Sequence, residues 1–110
     1  MNINPDNLVV KNNEAEHRYE IAIEGQLAVL TYRLVGARIT LIHTGVPAAL
    51  EGHGIAGKLA QYALDDARAR ELAVIPRCPF VVRYIQRHRG YADLVIPQER
   101  AQYLAPQAER

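Results

Sequence analysis

The sequence predicts an α+β domain, a mixed and mostly antiparallel sheet with helices packed on it. Three observations carry that prediction. Runs of strand formers separated by turn residues fill the first half, and the apolar period changes after Gly45-Val46-Pro47. A short apolar strand then stands between two helical stretches.

Leu8 to Lys11 is an apolar stretch that reads as a first strand, and Asn12-Asn13-Glu14-Ala15-Glu16 reads as a polar break. Arg18 to Ile23 roughly alternates polar and apolar residues, the pattern of a half-buried strand. Glu24-Gly25-Gln26 is a turn signal, and Leu27 to Leu34 is another run of strand formers. Gly36 turns the chain again, and Arg38 to Thr44 is rich in β-branched residues. Joined by turns of three or four residues, these last three strands make an antiparallel meander.

Beyond Pro47, residues Ile55, Leu59, Tyr62, Ala63, Ala67 and Leu72 fall on one helical face, with Lys58, Gln61, Asp65, Arg68 and Glu71 largely elsewhere. Asp66 with Arg70 and Asp65 with Arg68 have spacings that favour ion pairs on a helix. Pro76 bounds a short strand, Ala73-Val74-Ile75. A second helix starts near Cys78-Pro79, where Pro79 suits the first turn. Phe80, Val81, Tyr84 and Ile85 form its apolar side, and Gly90 ends it. Leu94-Val95-Ile96 reads as a last short apolar segment. Residues 1–7 are expected to be a flexible start, 8–96 the domain, and 97–110 a polar tail, helical or frayed, with only Tyr103-Leu104 apolar.

A chain of 110 residues with 49% apolar composition is one domain with one core. At this size folding buries roughly two-thirds of the unfolded surface, so a disulfide is not required for stability. The net charge of +1, with basic and acidic residues interleaved, argues against nucleic acid as a partner. No apolar run approaches the roughly 20 residues that span a bilayer, so no membrane role is expected. Met1 to Asp6 carries no signal-peptide pattern, and Cys78 is the only cysteine; a reducing cytoplasm is the expected compartment. His17, His53 and His88 have no metal-ligand spacing, and no metal is expected. A monomer or a weak homodimer is expected, the latter through the short strand at Leu8–Lys11.

Between Ile39 and Leu59, a strand, a glycine-bearing loop and a helix start follow one another. Gly52, Gly54 and Gly57 fall in a window of six residues. Glycines let the backbone approach an anion closely, and first-turn N–H groups have no intrahelical partner. Residues 54–58 contain Lys58 and no acid, a choice that suits a bound diphosphate. The alternative is structural: Gly52 and Gly54 serve a turn, and Gly57 allows close helix–sheet packing. The Walker pattern fails because Leu59 follows Gly57-Lys58, and the dinucleotide fingerprint fails because a meander precedes the loop.

Glu51-Gly52-His53-Gly54-Ile55-Ala56 resembles the acyl-CoA loop of the GNAT superfamily, Gln/Arg-x-x-Gly-x-Gly/Ala, placed after a strand and opening a helix. More specifically, the chain is similar to the small GNAT-like family called YjdJ-type N-acetyltransferases. The residues that carry this are His43-Thr44-Gly45-Val46-Pro47, Leu50-Glu51-Gly52, Gly54-Ile55-Ala56, Leu59 and Pro76-x-Cys78-Pro79-Phe80 with Tyr84-Ile85. The resemblance covers about residues 8–95. It implies a reduced, minimal GNAT-like fold and an N-acetyltransferase that moves an acetyl group from acetyl-CoA to an amine, either a small molecule or a peptide. It also implies a donor site formed by His43, Thr44, Gly45 and Val46 at the strand end, by the loop from Glu51 through His53, Ile55, Ala56 and Gly57 to Lys58, and by Cys78 and Tyr84. Glu51 stands where the wider superfamily has Gln or Arg, so its side chain is expected to cap or pack. Only Glu24-Gly25-Gln26 occupies the place of two helices that help to build the acceptor pocket in the fuller fold. The alternative reading is a non-catalytic acyl-CoA-binding or regulatory module.

His43 is the candidate base, largely neutral near pH 7 and able to take an ammonium proton; otherwise it is a histidine satisfied at a sheet edge. Cys78, before a helix N-terminus, is a candidate acid for the departing thiolate or a nucleophile; otherwise it is a buried, inert thiol. Arg77 is a candidate supporting charge for it. The resemblance also places a tyrosine acid at Tyr84, whose spacing equally fits the core. Arg83, Arg87, His88 and Arg89 read as a solvated helix end, or as contacts to the 3′-phosphate of CoA.

Overall fold

The alternation along Arg18–Ile23 sends Tyr19 and Ile21 to one face and leaves Ala22 exposed on the other, and every later strand continues that division. The computed structural model describes residues 3, 4 and 7–104. Strands β1 (Lys11–Asn13), β2 (Arg18–Ile23), β3 (Gln26–Val35), β4 (Arg38–Gly45) and β5 (Ala73–Pro76) form one sheet in sequence order. The first four are antiparallel neighbours, and β5 pairs parallel to β4 after the helical crossover α1 (Ile55–Ala69). Helix α2 (Pro79–Arg87) follows β5, and α3 (Pro97–Leu104) follows a 3₁₀ segment at Arg89–Leu94.

The hairpin turns are tighter than the spacing predicts. Ile23 pairs with Gln26, so only Glu24 and Gly25 form the first loop, at φ 48° and 79°. Two consecutive positive φ values match the twist of the flanking strands. Val35 pairs with Arg38, and Gly36 opens that second two-residue loop at φ 58°.

Tyr19, Ile21, Ala28, Leu30, Tyr32, Ile39, Leu41 and Val74 face the helices and are buried against Ile55, Leu59, Ala63, Leu64 and Ala67 of α1 and Val81 and Ile85 of α2. Each of the large aliphatic side chains among them contributes about 1.5–3 kcal/mol of burial. The hydroxyl of Tyr19, at the bottom of this layer, donates to Asp66 at 2.7 Å, and Arg70 donates to the same carboxylate at 2.9 Å. Burial, reinforced by Asp66, pushes the Tyr19 phenol well above its usual range. The other sheet face, with Val29, Thr31, Arg33, Thr40 and Ile42, carries no helix among the described residues.

Four expectations are corrected. The first strand lies at Lys11–Asn13, not Leu8–Lys11: Asn12 accepts from the Tyr32 hydroxyl at 2.8 Å, and Asn13 donates to Glu20 at 2.8 Å. These side-chain bonds make two asparagines into strand residues. Tyr62 is 40% exposed and lies at the rim of the α1 stripe, touching Tyr19 edge-on. Leu72 lies beyond the helix end and is buried by the loop into β5. Arg68 pairs with Asp93, not Asp65, while Asp65 accepts from the Tyr91 hydroxyl at 2.7 Å. The Asp66–Arg70 pairing forms as the spacing predicts.

Leu94-Val95-Ile96 is short indeed: Val95 makes a parallel bridge to Val74, which extends the sheet by one residue. The tail is helical over Pro97–Leu104 and docks Leu104 in the core. Of the segments expected to be flexible or frayed, residues 1, 2, 5, 6 and 105–110 lie outside the described residues.

Candidate functional site

The predicted loop is a turn of backbone donors. A 3₁₀ turn at Ala48–Leu50 leads into Glu51, and Gly52 and Gly54 take φ values of 86° and 75°, where L-residues are strained. Gly54 is the residue before the first turn of α1 and supplies no side-chain cap, and that turn contains no acid. The first helical bond runs from Lys58 N–H to Gly54 at 3.1 Å, so the N–H groups of Ile55, Ala56 and Gly57 have no acceptor among the described residues. A groove of ≈ 340 Å³ opens beside them, lined by Val46, Leu50, Glu51, Gly52, Gly54, Ile55, Ala56, Gly57 and Phe80. Donors without acceptors, a positive helix end and a mostly apolar trough together suit a diphosphate joined to an apolar arm.

Gly57 bears on the packing half of the structural reading. A methyl group placed there meets only Tyr84 Cε2 at 3.8 Å, an ordinary contact, so helix packing does not require a glycine. Around Gly52 and Gly54 such a group meets nothing within 4 Å. The loop's glycines serve backbone conformation and leave open space above the donors. Glu51 is exposed and caps nothing, contrary to expectation: α1 has no side-chain cap. His53 and Lys58 are half-buried within the same turn.

The end of β4 provides the second part. Its pairing with β5 stops at Leu41–Pro76, and both Arg77 N–H and Cys78 N–H converge on the Leu41 carbonyl, at 2.9 and 3.0 Å. Strand β4 continues to Gly45 with no strand on that side among the described residues, leaving an open edge over Ile42–Gly45. An irregularity opposite Thr31 and Tyr32 makes Ile42 an extra residue, since Thr31 pairs with His43 and Tyr32 with Leu41.

The bulge separates the two predicted catalytic residues. Thr44 pairs with buried Leu30 and so points to the helix side, where its hydroxyl lies 3.2 Å from Cys78 Sγ. His43 points to the other face, is exposed, and has its Nε2 3.5 Å from the position of a Gly45 methyl beside Val29. Cys78, 3% exposed, stands just before α2, with Pro79 in that helix's first turn. The structure thus brings Cys78 to Thr44 and not to His43. Arg77 does not support Cys78: its guanidinium is held by both oxygens of Glu99 on α3.

Tyr84 stands against Gly57 and stacks on His88, with ring centroids 4.0 Å apart. Its hydroxyl has no hydrogen-bond partner among the described residues. Burial, with the Asp65 charge, raises its pKa above the usual tyrosine value, so it keeps its proton. Of the basic cluster, His88 bonds the Tyr84 carbonyl through Nδ1 at 2.9 Å and closes the end of α2, while Arg89 donates to the Leu104 carbonyl of α3 at 2.9 Å. Leu50 and Phe80 line the groove but were not among the expected site residues. Each had one signal: Phe80 its place directly after Cys78-Pro79, and Leu50 its place directly before Glu51-Gly52, both within the runs that carry the resemblance.

A reduced sheet, splayed after β4 and with a donor-rich helix start beside the splay, defines the class: a GNAT fold in small form. The chain belongs to the GCN5-related N-acetyl-transferase family, whose sequence profile matches residues 18–94. It is 34% identical over 82 residues to Protein NATD1 of Mus musculus, covering 72% of this chain and 74% of that one. The human Protein NATD1 is 34% identical over 82 residues, with 72% and 73% covered. Among solved structures, a GCN5-like protein from Staphylococcus aureus, assigned to the N-acetyltransferases, superposes with a TM-score of 0.64 at 31% identity. That match covers 82% of this chain and 89% of the other. Among the described residues no three His, Cys, Asp or Glu side chains form a metal-holding group, and no helix is long and apolar enough to cross a membrane.

Proposed function

We propose that this chain is an acetyl-CoA-dependent N-acetyltransferase of the small YjdJ-type group, with its donor site at the α1 start and the open end of β4. The carrying observation is the set of unbonded N–H groups at Ile55, Ala56 and Gly57 beside an apolar groove. Those donors, with Gly52 to Gly54 and Lys58, would hold the diphosphate. Val46, Leu50 and Phe80 would line the arm, and the free edge of Ile42–Gly45 would pair with it. Acetyl-CoA, when bound, supplies an activated acyl carbon and a thiolate leaving group.

The protein's own part is binding and proton management. The neutral amine nitrogen attacks the acyl carbon, the carbon–sulfur bond breaks, the amine gives up one proton and the thiolate takes one. His43, exposed on the open face, accepts the amine proton. Tyr84 and Cys78 are the proton holders on the helix side; Tyr84 has the free hydroxyl, and Cys78 has its thiol against Thr44. A backbone N–H of the β4 end polarises the carbonyl.

The second reading, a non-catalytic acyl-CoA-binding module, draws support from the burial of Cys78 and its distance in the fold from His43. Calorimetric titration with acetyl-CoA, with CoA and ATP as controls, tests the donor site. Saturable binding that needs the pantetheine arm is expected, and no binding of any CoA species at millimolar levels would remove both readings. Turnover of an amine panel then separates them, since the second reading predicts none.

A further inference from the structure

Behind the donor site, the helix-free sheet face holds a second pocket of ≈ 380 Å³, lined by Arg33, Thr40, Ile42, Ile75 and Arg77. Arg33 and Thr40 are cross-strand partners on that face, and Thr40 pairs with Ile75 on the other side. Ile42, the extra residue of the bulge, is 43% exposed and immediately precedes His43. The pocket therefore adjoins the open end of β4 from the side opposite Cys78.

Its charge is not balanced. Arg77 is matched by Glu99, and Arg18 on the same face by Glu20. Arg33 has no carboxylate partner among the described residues, and neither has Arg38, which by strand alternation shares its face. Arg33 thus brings an unmatched guanidinium to a small pocket whose other walls are Thr40, Ile42, Ile75 and the paired Arg77, with unmatched Arg38 farther along the same face. Guanidinium groups select planar anions through paired N–H donors, and a carboxylate is the smallest that fits them. The row Thr31–His43 lies two residues along β3 from the row Arg33–Thr40, about 7 Å at strand spacing.

We infer that this pocket is the acceptor site and that it selects amines bearing a carboxylate. The acid is held by Arg33, and the amine is presented to His43 at the open end of β4. The inference rests on the acyl-transfer reading above and specifies its substrate class. A free amino acid or a short acidic peptide has the required pair of groups a few bonds apart.

The test has two arms. Backbone NMR of the full chain is titrated with N-acetylglycine and with its amide. The carboxylate is expected to shift Thr40, Ile42 and Ile75, the amide to shift them little, and Arg33→Gln to abolish the difference while Arg33→Lys restores part of it. Exposed Lys11 on β1, changed to Gln, is the control and leaves the shifts intact. In transfer assays with free amino acids and their amides, the carboxylate forms should be favoured by about tenfold or more through KM, the value of one charge-assisted bond. Arg33→Gln should erase that ratio without changing acetyl-CoA affinity. Equal responses to acid and amide, or a preference that persists in Arg33→Gln, would overturn the inference. If acetyl-CoA shifts Gly52–Gly57 while the carboxylate leaves Thr40, Ile42 and Ile75 unmoved, the acceptor assignment alone falls. Carboxylate binding without any acetyl-CoA binding would sink the donor reading and the acceptor role with it.

Discussion

Tyr84 sets a ring against the helix start while its hydroxyl has no partner among the described residues, an arrangement that separates its structural role from its chemical one. Tyr84→Phe keeps the ring contacts with Gly57 and His88, so the unfolding free energy from urea titration should change little, within about 0.5 kcal/mol, as for a surface change. If Tyr84 supplies the thiolate's proton, transfer should fall by about 100-fold or more, the usual worth of a positioned acid. Cys78→Ala is the complementary case. It empties part of a buried site and removes the Thr44 contact, so it should cost about 1 kcal/mol of stability whether or not activity changes. A large loss of transfer in Tyr84→Phe with near-normal transfer in Cys78→Ala would assign the acid. The reverse would assign it to the thiol. Residue types alone could nominate both; burial and hydrogen bonding rank them.

At the scale of elements, α1 carries a cost at its own N-terminus. It starts without a side-chain cap and without an acid, and Gly57 sits in its first turn. A glycine inside a helix costs roughly 0.5–1 kcal/mol relative to alanine. Gly57→Ala has room for its methyl, so it should stabilise the free protein by about that amount, read as a rise in Tm of several degrees. An unchanged or lower Tm would show that the glycine serves packing after all. The strand elements show the opposite relation of sequence to structure. Alternation located β2, and β-branching located β4, because each half-buried strand writes its two faces into the chain. The polarity of Asn12 and Asn13 hid β1, because their partners, Tyr32 and Glu20, stand on neighbouring strands and meet them only through the register of the sheet.

For the whole molecule, the pH dependence of stability follows from where the tyrosines and carboxylates sit. Burial is the main cause that raises Tyr19, Tyr32, Tyr84 and Tyr91 above the ordinary tyrosine value, with Tyr91 pushed up to about 12. Their contribution is complete below pH 10. Above it the unfolded chain loses these protons first, so the folded state binds more protons and stability falls as pH rises. On the acid side, Arg18, Arg68 and Arg77 hold Glu20, Asp93 and Glu99 below their usual values. That contribution is present above the ordinary carboxylate range and is lost as pH falls. Urea midpoints should be flat from pH 7 to 9 and decline beyond 10. Salt should flatten the acid limb, which rests on surface pairs, and leave the alkaline limb, which rests on burial. An alkaline limb that salt also flattens would contradict burial as its cause.

The glycine turn and the bare helix start were legible from residues alone because they are made of local backbone: glycines, a helix start and the absence of an acid occupy one short stretch. The α+β class was legible for the same reason, since periodicity is a local property. What only the tertiary structure decided is where side chains far apart in sequence meet. It put Cys78 on Thr44, turned His43 to the other face through one extra residue in β4, tied Arg77 to Glu99 and left Arg33 unmatched. Strand register and a bulge set these relations, and a shift of one residue exchanges the faces, so no local pattern announces them.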